Sequence, residues 1–350
     1  MSTSIVSDDG FVVIDRIERM RPFLVSVVSA SDHWLYVSSK GGLSAGRVDP
    51  DSCLFPYRTD DQLHLAHTHT GPYTAFWVGE TFWEPFVAHA GREVSRRLAK
   101  SVAGDRLRFE ETHSGLGLTF RYEWSFSERF GLVRRASLRR HEGFGALHIH
   151  GIDGLRSLVP AGAAQGATQT VSCLIDAYTR AEHLGPAGLT TITMEAALSD
   201  RAEPAESLRA TTVWSVGLEG ATTTLDPYAA DAFMHRDAVP VAEQMLGRAG
   251  AFLSTFTLDL APGAEHEWAV VADVQRSQAD VVQLRETLAA GGLLVTLDKE
   301  RDAMTAALDA LIDDVDGLQL SGDRVLDAHH RSNALFNAMR GGLLDDETRL

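Results

Sequence analysis

The chain has 350 residues, 44% of them hydrophobic, and 48 acidic against 32 basic side chains give it a net charge of -16. This hydrophobic content is ordinary for a protein that buries a core, and the length fits one large β domain. The acidic excess works against binding to nucleic acid or to an anionic membrane. We therefore expect neither as a partner.

Two cysteines, Cys53 and Cys173, are too few for a disulfide framework and form no zinc-binding cluster. The N-terminus lacks the basic and apolar regions of a secretory signal. No apolar run reaches the roughly 18–20 residues needed to cross a bilayer. A soluble, cytoplasmic protein is expected.

The first three quarters of the chain are typical of β-strands. Segments 23–30 and 33–39 are rich in Val, Tyr and Leu and are separated by Ser31-Asp32, as in a hairpin. In segment 119–127 the apolar residues alternate with polar ones, which predicts a half-buried strand. Further strands are predicted at 73–78, 106–112, 132–141, 146–152, 189–198, 208–218, 252–260 and 267–274. A dozen or more closely spaced strands indicate antiparallel sheets packed as a large sandwich.

The last quarter has helical spacing instead. Ser277 and Asp280 resemble a capping box, and the helix they begin is expected to stop at Gly291-Gly292. A second helix is predicted from about Asp298 to about Gly317, with an apolar stripe of Met304, Ala307, Leu308, Leu311 and Ile312. A third is predicted from Ser321 or Asp323 to Gly341-Gly342, with one side formed by Val325, His329, Ser332, Phe336 and Met339. The predicted organisation is a β domain over 1–275 and a helical segment over 276–350.

Two groups of histidines are candidate metal ligands. His148 and His150 lie two apart in a predicted strand and so point to one face. The second group, His64, His67 and His69, is predicted to lie in a loop. His-x-His on a strand is a metal-binding geometry, but Gly154 and Leu155 stand where the further glutamate ligand would be needed. The spacing of the second group matches no known metal site. The chain also has no phosphate-binding loop and no nucleophile elbow. We expect no metal and no cofactor.

The stretch from Trp34 to Thr74 is dense in glycine, proline, aromatic and charged residues. Aromatic rings that flank a few placed polar groups suit the binding of a sugar. The candidate ligand contacts are Arg47, Tyr57, Arg58, Asp60 and Asp61. A structural interpretation stays open for the two aspartates, in which Asp61 caps a turn and Asp60 pairs with Arg58 or Arg47.

Several segments resemble the cellobiose-phosphorylase-like group of bacterial proteins. They include 43–47, 54–57, 70–72, 152–156, 176–178, 200–203, 212–215 and 332–342. In that group an N-terminal β-supersandwich, similar to the galactose-mutarotase fold, is followed by linker helices and a catalytic (α/α)6 barrel. The resemblance implies a mainly β chain, with a large antiparallel supersandwich followed by C-terminal linker helices. These parts are expected to take up the chain and to leave no room for the barrel.

Three functions follow as hypotheses. The first is a carbohydrate-binding or accessory domain of a glycoside phosphorylase- or hydrolase-like protein. It would not be an enzyme alone, and its partner would be a saccharide or a separate barrel domain. The second is a stand-alone mutarotase- or epimerase-like enzyme, with His148 or His150 as base. The third is a structural module that assembles through its helices with a catalytic partner, or as a homo-oligomer.

Overall fold

The computed structural model describes residues 5–8, 10–87, 93–163, 172–185, 188–195 and 208–339. In chain order the strands are β1 (Ile5–Asp8), β2 (Phe11–Asp15), β3 (Leu24–Val27), β4 (His33–Ser38), β5 (Leu43–Arg47), β6 (Cys53–Phe55), β7 (Gly71–Val78), β8 (Thr81–Trp83), β9 (Val94–Ser101), β10 (Leu107–His113), β11 (Leu118–Ser127), β12 (Gly131–Arg140), β13 (Leu147–Leu158), β14 (Thr179–His183), β15 (Thr190–Met194), β16 (Arg209–Val216), β17 (Thr222–Thr224), β18 (Gln244–Leu246), β19 (Gly250–Leu260) and β20 (Glu265–Ser277). The helices are α1 (Asp60–Ala66), α2 (Ser172–Tyr178), α3 (Ala229–Met234), α4 (Gln278–Ala290), α5 (Leu293–Asp316) and α6 (Arg324–Met339).

These strands form three sheets, and every pairing between them is antiparallel. The largest has 11 strands in the order β1-β2-β9-β10-β11-β12-β20-β16-β15-β14-β18. A 5-stranded sheet has the order β17-β19-β13-β7-β8, and a 4-stranded sheet has the order β3-β4-β5-β6. Both smaller sheets contribute to one hydrophobic core with the inner face of the large sheet. The predicted mainly β sandwich with helices at its C-terminal end is confirmed.

The central strand β20 is buried on both faces. Trp268 and Val270 point into the main core, whereas Ala269 and Val271 belong to a second core on the other side of the sheet. Leu284 of α4 and residues at the start of α5 complete that second core. The result is three layers, with the first two C-terminal helices covering the middle of the large sheet.

The predicted strands are confirmed with shifts at their ends, and the predicted capping box at Ser277 and Asp280 is present. The prediction that the second helix begins near Asp298 is wrong, because it begins at Leu293. Gly292, which has a positive φ of 70°, precedes this helix. Because glycine has no side chain that could cap the helix, the sequence gives no signal for its start. The predicted stripe is only partly correct, since Ala307 and Leu311 are exposed.

The residues predicted to share one side of the third helix do so only in part. Ala334 and Leu335 are buried on α6, whereas Phe336 is exposed. Val325, His329 and Ser332 lie over the large sheet, where they line an apolar groove of about 220 Å³. The proposed end at Gly341-Gly342 and the similar segment 200–203 lie outside the described residues. Within the described chain, no helix combines the length and apolar character needed to cross a membrane.

Candidate functional site

A pocket lined by both polar and apolar side chains lies beside the 5-stranded sheet, where the edge strand β8 is shorter than its neighbour β7. β8 pairs with Phe76–Val78 only, so the earlier part of β7 extends beyond it. The segment that follows β8 passes this uncovered part and encloses a cavity of about 120 Å³. We call it the Arg156 pocket; its lining is Lys40, Gly41, His67, Thr68, Pro72, Tyr73, Thr74, Glu84, Pro85, Phe86, Val87, Tyr122, Arg134 and Arg156.

The floor of the Arg156 pocket is a buried hydrogen-bonded network. Arg134 Nη1 lies 2.8 Å from each carboxylate oxygen of Asp153, and Arg134 Nη2 donates to Thr74 Oγ1 at 2.8 Å. Thr74 Oγ1 and Trp268 Nε1 also donate to Asp153, at 2.5 and 2.8 Å. The guanidinium of Arg134 stands 4.7 Å from the centre of the Tyr122 ring. These contacts hold Arg134 and Thr74 in one orientation.

The wall formed by the segment after β8 is held by a buried carboxylate. Glu111 accepts hydrogen bonds from Trp83 Nε1 at 2.8 Å and from the backbone N–H of Phe86 at 2.7 Å. Its charge is paired with Arg96 Nε at 2.7 Å. Phe86 has a positive φ of 65°, which is strained for a bulky residue and persists only where the surroundings impose it. Glu84, two residues earlier, is thereby directed to the pocket.

Arg156 and Glu84 face the pocket without pairing with each other. The guanidinium of Arg156 stacks on the Tyr73 ring at 4.5 Å, and the described residues place no carboxylate within 4.0 Å of it. Burial lowers the pKa of Arg156, although Tyr73, Glu84 and Asp231 oppose this. Burial raises the pKa of Glu84, and the charge of Arg156 opposes it. Two opposite charges are thus partly desolvated, and neither has an ion-pair partner among the residues that the structure describes.

Several buried polar atoms in the pocket lack a hydrogen-bond partner within the described chain: Tyr73 Oη, Arg134 Nε, Arg156 Nε, and both ring nitrogens of His67. Burial lowers the pKa of His67, an interaction with the backbone of His64 opposes this, and the charges of Lys40, His69 and Arg96 act in the same direction as burial. The neutral ring has one donor and one acceptor nitrogen. Because an unpaired buried polar atom costs about 1–3 kcal/mol, a set of them in one pocket suits either ordered water or a polar ligand.

The ligand contacts predicted in the Trp34–Thr74 stretch lie outside the lining of the Arg156 pocket. Arg47 Nε donates to Asp32 at 3.0 Å, and its Nη1 donates to the buried Asp273 at 3.1 Å. Tyr57 is partly exposed and packs edge-on against Trp34, with ring centres 5.6 Å apart. Arg58 donates its backbone N–H to Ser44. Arg47 therefore joins the 4-stranded sheet to β20, and its role as a ligand contact stays a prediction.

Asp60 and Asp61 begin α1, the helix that replaces the loop expected around His64. Asp61 accepts a hydrogen bond from Thr59 Oγ1 at 2.5 Å, which lowers the pKa of its carboxyl. Asp60 lies 3.4 Å from His64 Nε2, so the proposed pairing of Asp60 with Arg58 or Arg47 is wrong. Both carboxylates stay on the surface at the positive end of a short helix.

His148 and His150 lie on one face of β13, as predicted. Their rings are 5.0 Å apart, and His148 Nδ1 is 2.7 Å from the exposed Asp259. They are exposed and do not line the Arg156 pocket. Across the described part of the chain, no three His, Cys, Asp or Glu side chains converge as metal ligands.

Sequence reasoning missed most of the pocket. Tyr73 and Thr74 lie at the end of the highlighted stretch, and Arg156 ends the segment 152–156 on which the family resemblance partly rests. Glu84 carried no signal, because a single glutamate after an aromatic strand is ordinary surface sequence. Pairing of β7 with β13 places Tyr73 opposite Gly154 and thereby brings these residues together.

No family model and no curated protein matches the chain. Similar solved structures include a bacterial glucoamylase complexed with acarbose, at 10% identity and a TM-score of 0.47, which covers 91% of this chain and 43% of that one. A putative kojibiose phosphorylase from the human microbiome has 8% identity and a TM-score of 0.35, covering 75% of this chain and 27% of that one. A GH92 α-mannosidase from Bacteroides thetaiotaomicron has 10% identity and a TM-score of 0.39, covering 94% and 37%. The chain spans less than half the length of each, and its fold assignment rests on the strand order above.

Proposed function

We propose that this chain is a carbohydrate-binding domain and that the Arg156 pocket receives part of a saccharide. The observation that carries the proposal is the set of buried, unpaired donors and acceptors in one pocket, which includes Tyr73 Oη and the His67 ring nitrogens. A sugar hydroxyl both donates and accepts hydrogen bonds, so a group of hydroxyls satisfies such a set.

The remaining features of the pocket agree with this ligand. Phe86 contributes an aromatic ring to the lining, of the kind on which the C–H faces of sugars pack. The cavity of about 120 Å³ is smaller than a drug-sized pocket of about 300–1,000 Å³. A single terminal sugar unit, entering by one end, suits this size better than an extended chain.

In this proposal the chain binds and positions a saccharide, and the chemistry is performed by a partner domain, such as an (α/α)6 barrel. The surface that contains Tyr57, Asp60 and Asp61 is proposed as a further contact with the saccharide or with that partner. Its support is the partial exposure of Tyr57 beside the two surface carboxylates. We propose a cytoplasmic location for the domain.

Calorimetric titration with glucose, maltose and cellobiose tests the binding proposal. Tyr73→Phe removes one unpaired hydroxyl and keeps the ring under Arg156, so we expect about tenfold weaker binding from the loss of one buried hydrogen bond. Tyr228→Phe is the matched control, because Tyr228 is exposed and lies outside the pocket lining, and it is expected to bind as the wild type does. If none of these sugars binds, or if Tyr73→Phe binds as tightly as Tyr228→Phe, the assignment to the Arg156 pocket is wrong.

The same samples test the non-catalytic role. Polarimetry of freshly dissolved glucose follows anomer interconversion, and product analysis follows phosphorolysis or hydrolysis of the disaccharides. We expect the rates of anomer interconversion and of disaccharide cleavage to equal those in buffer alone. Acceleration by the wild type that is lost in His148→Ala or His150→Ala would favour the mutarotase hypothesis instead.

A further inference from the structure

The charge arrangement of the Arg156 pocket bears on which saccharides it accepts. Arg134 is neutralised by Asp153, with both side chains fully buried. Lys40 lies at the rim and is exposed. Among the described lining residues, the remaining partly buried charges are the guanidinium of Arg156 and the carboxylate of Glu84. Since their separation exceeds 4.0 Å, each of them is available to a ligand that lies between them.

We infer that Glu84 makes the pocket select uncharged sugars and exclude acidic ones such as uronic acids; this inference rests on the proposed function. A neutral sugar donates a hydroxyl to Glu84 and accepts a hydrogen bond from Arg156, so both charged groups are paired by one ligand. A uronic acid gains an ion pair with Arg156 but places its carboxylate close to Glu84. Like charges brought together in a desolvated site cost several kcal/mol, which makes Glu84 the discriminating group.

Amino sugars are excluded by the same geometry. An ammonium group near Glu84 would also lie near Arg156, which has no competing carboxylate within 4.0 Å in the described chain. The pair therefore discriminates against either sign of charge. Replacing Glu84 should therefore reverse the discrimination against acidic sugars only, and replacing Arg156 should reverse the discrimination against amino sugars only.

The experiment measures the ratio of the dissociation constants for glucuronate and glucose. We expect the wild type to bind glucose at least about tenfold more tightly, the ratio that 1.4 kcal/mol of repulsion produces. Glu84→Gln removes the negative charge and keeps the size of the side chain, so it should shift the ratio toward glucuronate by about tenfold or more. Arg156→Gln should shift the ratio the opposite way.

Glu80→Gln is the matched control. Glu80 lies in the turn between β7 and β8, is highly exposed and pairs with Arg236 at 2.7 Å, outside the pocket lining. Its substitution should leave the ratio unchanged. If glucose binds but the ratio is the same in Glu84→Gln and wild type, the selectivity is wrong and the carbohydrate-binding proposal stands. If neither sugar binds to any of these proteins, the binding proposal itself is overturned.

Discussion

Arg134 and Asp153 form an ion pair in which both side chains have 0% exposure and each carboxylate oxygen lies 2.8 Å from the same guanidinium nitrogen. Arg134 belongs to β12 of the 11-stranded sheet, and Asp153 belongs to β13 of the 5-stranded sheet. The pair therefore connects two layers of the sandwich beneath the Arg156 pocket. Thr74 and Trp268 donate further hydrogen bonds to Asp153, so the network connects the pair to two other strands as well as shaping the pocket.

Asp153→Ala should destabilise the fold by about 3–5 kcal/mol, because it leaves the guanidinium of Arg134 buried without a counter-charge. Urea denaturation gives the free energy of unfolding. Asp259→Ala is the control, since Asp259 is exposed and its surface contact with His148 is worth at most about 1 kcal/mol. A loss below about 1 kcal/mol in Asp153→Ala would contradict the assigned role.

Asp273 should make the stability of the protein depend on pH in the acidic range. Its burial opposes ionisation, but the hydrogen bond from His33 and the charges of Arg276 and Arg47 hold its pKa below the ordinary value of 3.8. A lowered pKa stabilises the fold above the unfolded-state pKa, and this contribution disappears as pH falls through the folded-state pKa. The difference in unfolding free energy between wild type and Asp273→Asn should therefore shrink as the pH falls below about 4. A difference that grows on acidification would refute this.

Gly154→Ala should disrupt the sheet next to the pocket. A Cβ at Gly154 would lie 1.9 Å from the carbonyl oxygen of Phe252 on β19, and backbone cannot yield as a flexible side chain can. We expect a loss of at least about 3 kcal/mol, the upper end for overpacking, or failure to fold. Gly145→Ala is the matched control, because its Cβ would meet nothing within 4 Å. Near-equal melting temperatures for the two variants would rule out this account.

Ser277→Ala should weaken the start of α4. Ser277 Oγ accepts from the Asp280 N–H at 3.3 Å, and the Ser277 N–H donates to Asp280 at 2.8 Å. Loss of an N-cap typically costs about 1 kcal/mol. Urea denaturation checks the value, and Ser277→Thr should retain most of the stability because it keeps a capping hydroxyl. Equal stabilities of the alanine and threonine variants would show that the cap contributes nothing.

Local patterns in the sequence predicted the elements that local physics determines. The alternation in β11 and the capping box of α4 are contained within a few residues, so they can be read without tertiary contacts. The start of α5 escaped prediction because a glycine precedes it and burial of Leu293 and Leu297 under the sheet holds its first turn. Short strands such as β17 and β18 exist through their pairing partners and have little pattern of their own.

The sequence by itself therefore determined the class of fold, the order of strands before helices and the absence of a known catalytic motif, since these depend on periodicity and composition. Only the tertiary structure decided where the Arg156 pocket lies. Arg156 is far from Tyr73 and Glu84 in the chain. The three meet because β7 pairs with β13 in one register and Glu111 holds the strained turn at Phe86. Glu84 and Arg156 are partly buried there without an ion-pair partner among the described residues. Burial depends on packing between sheets, which no single segment of sequence contains.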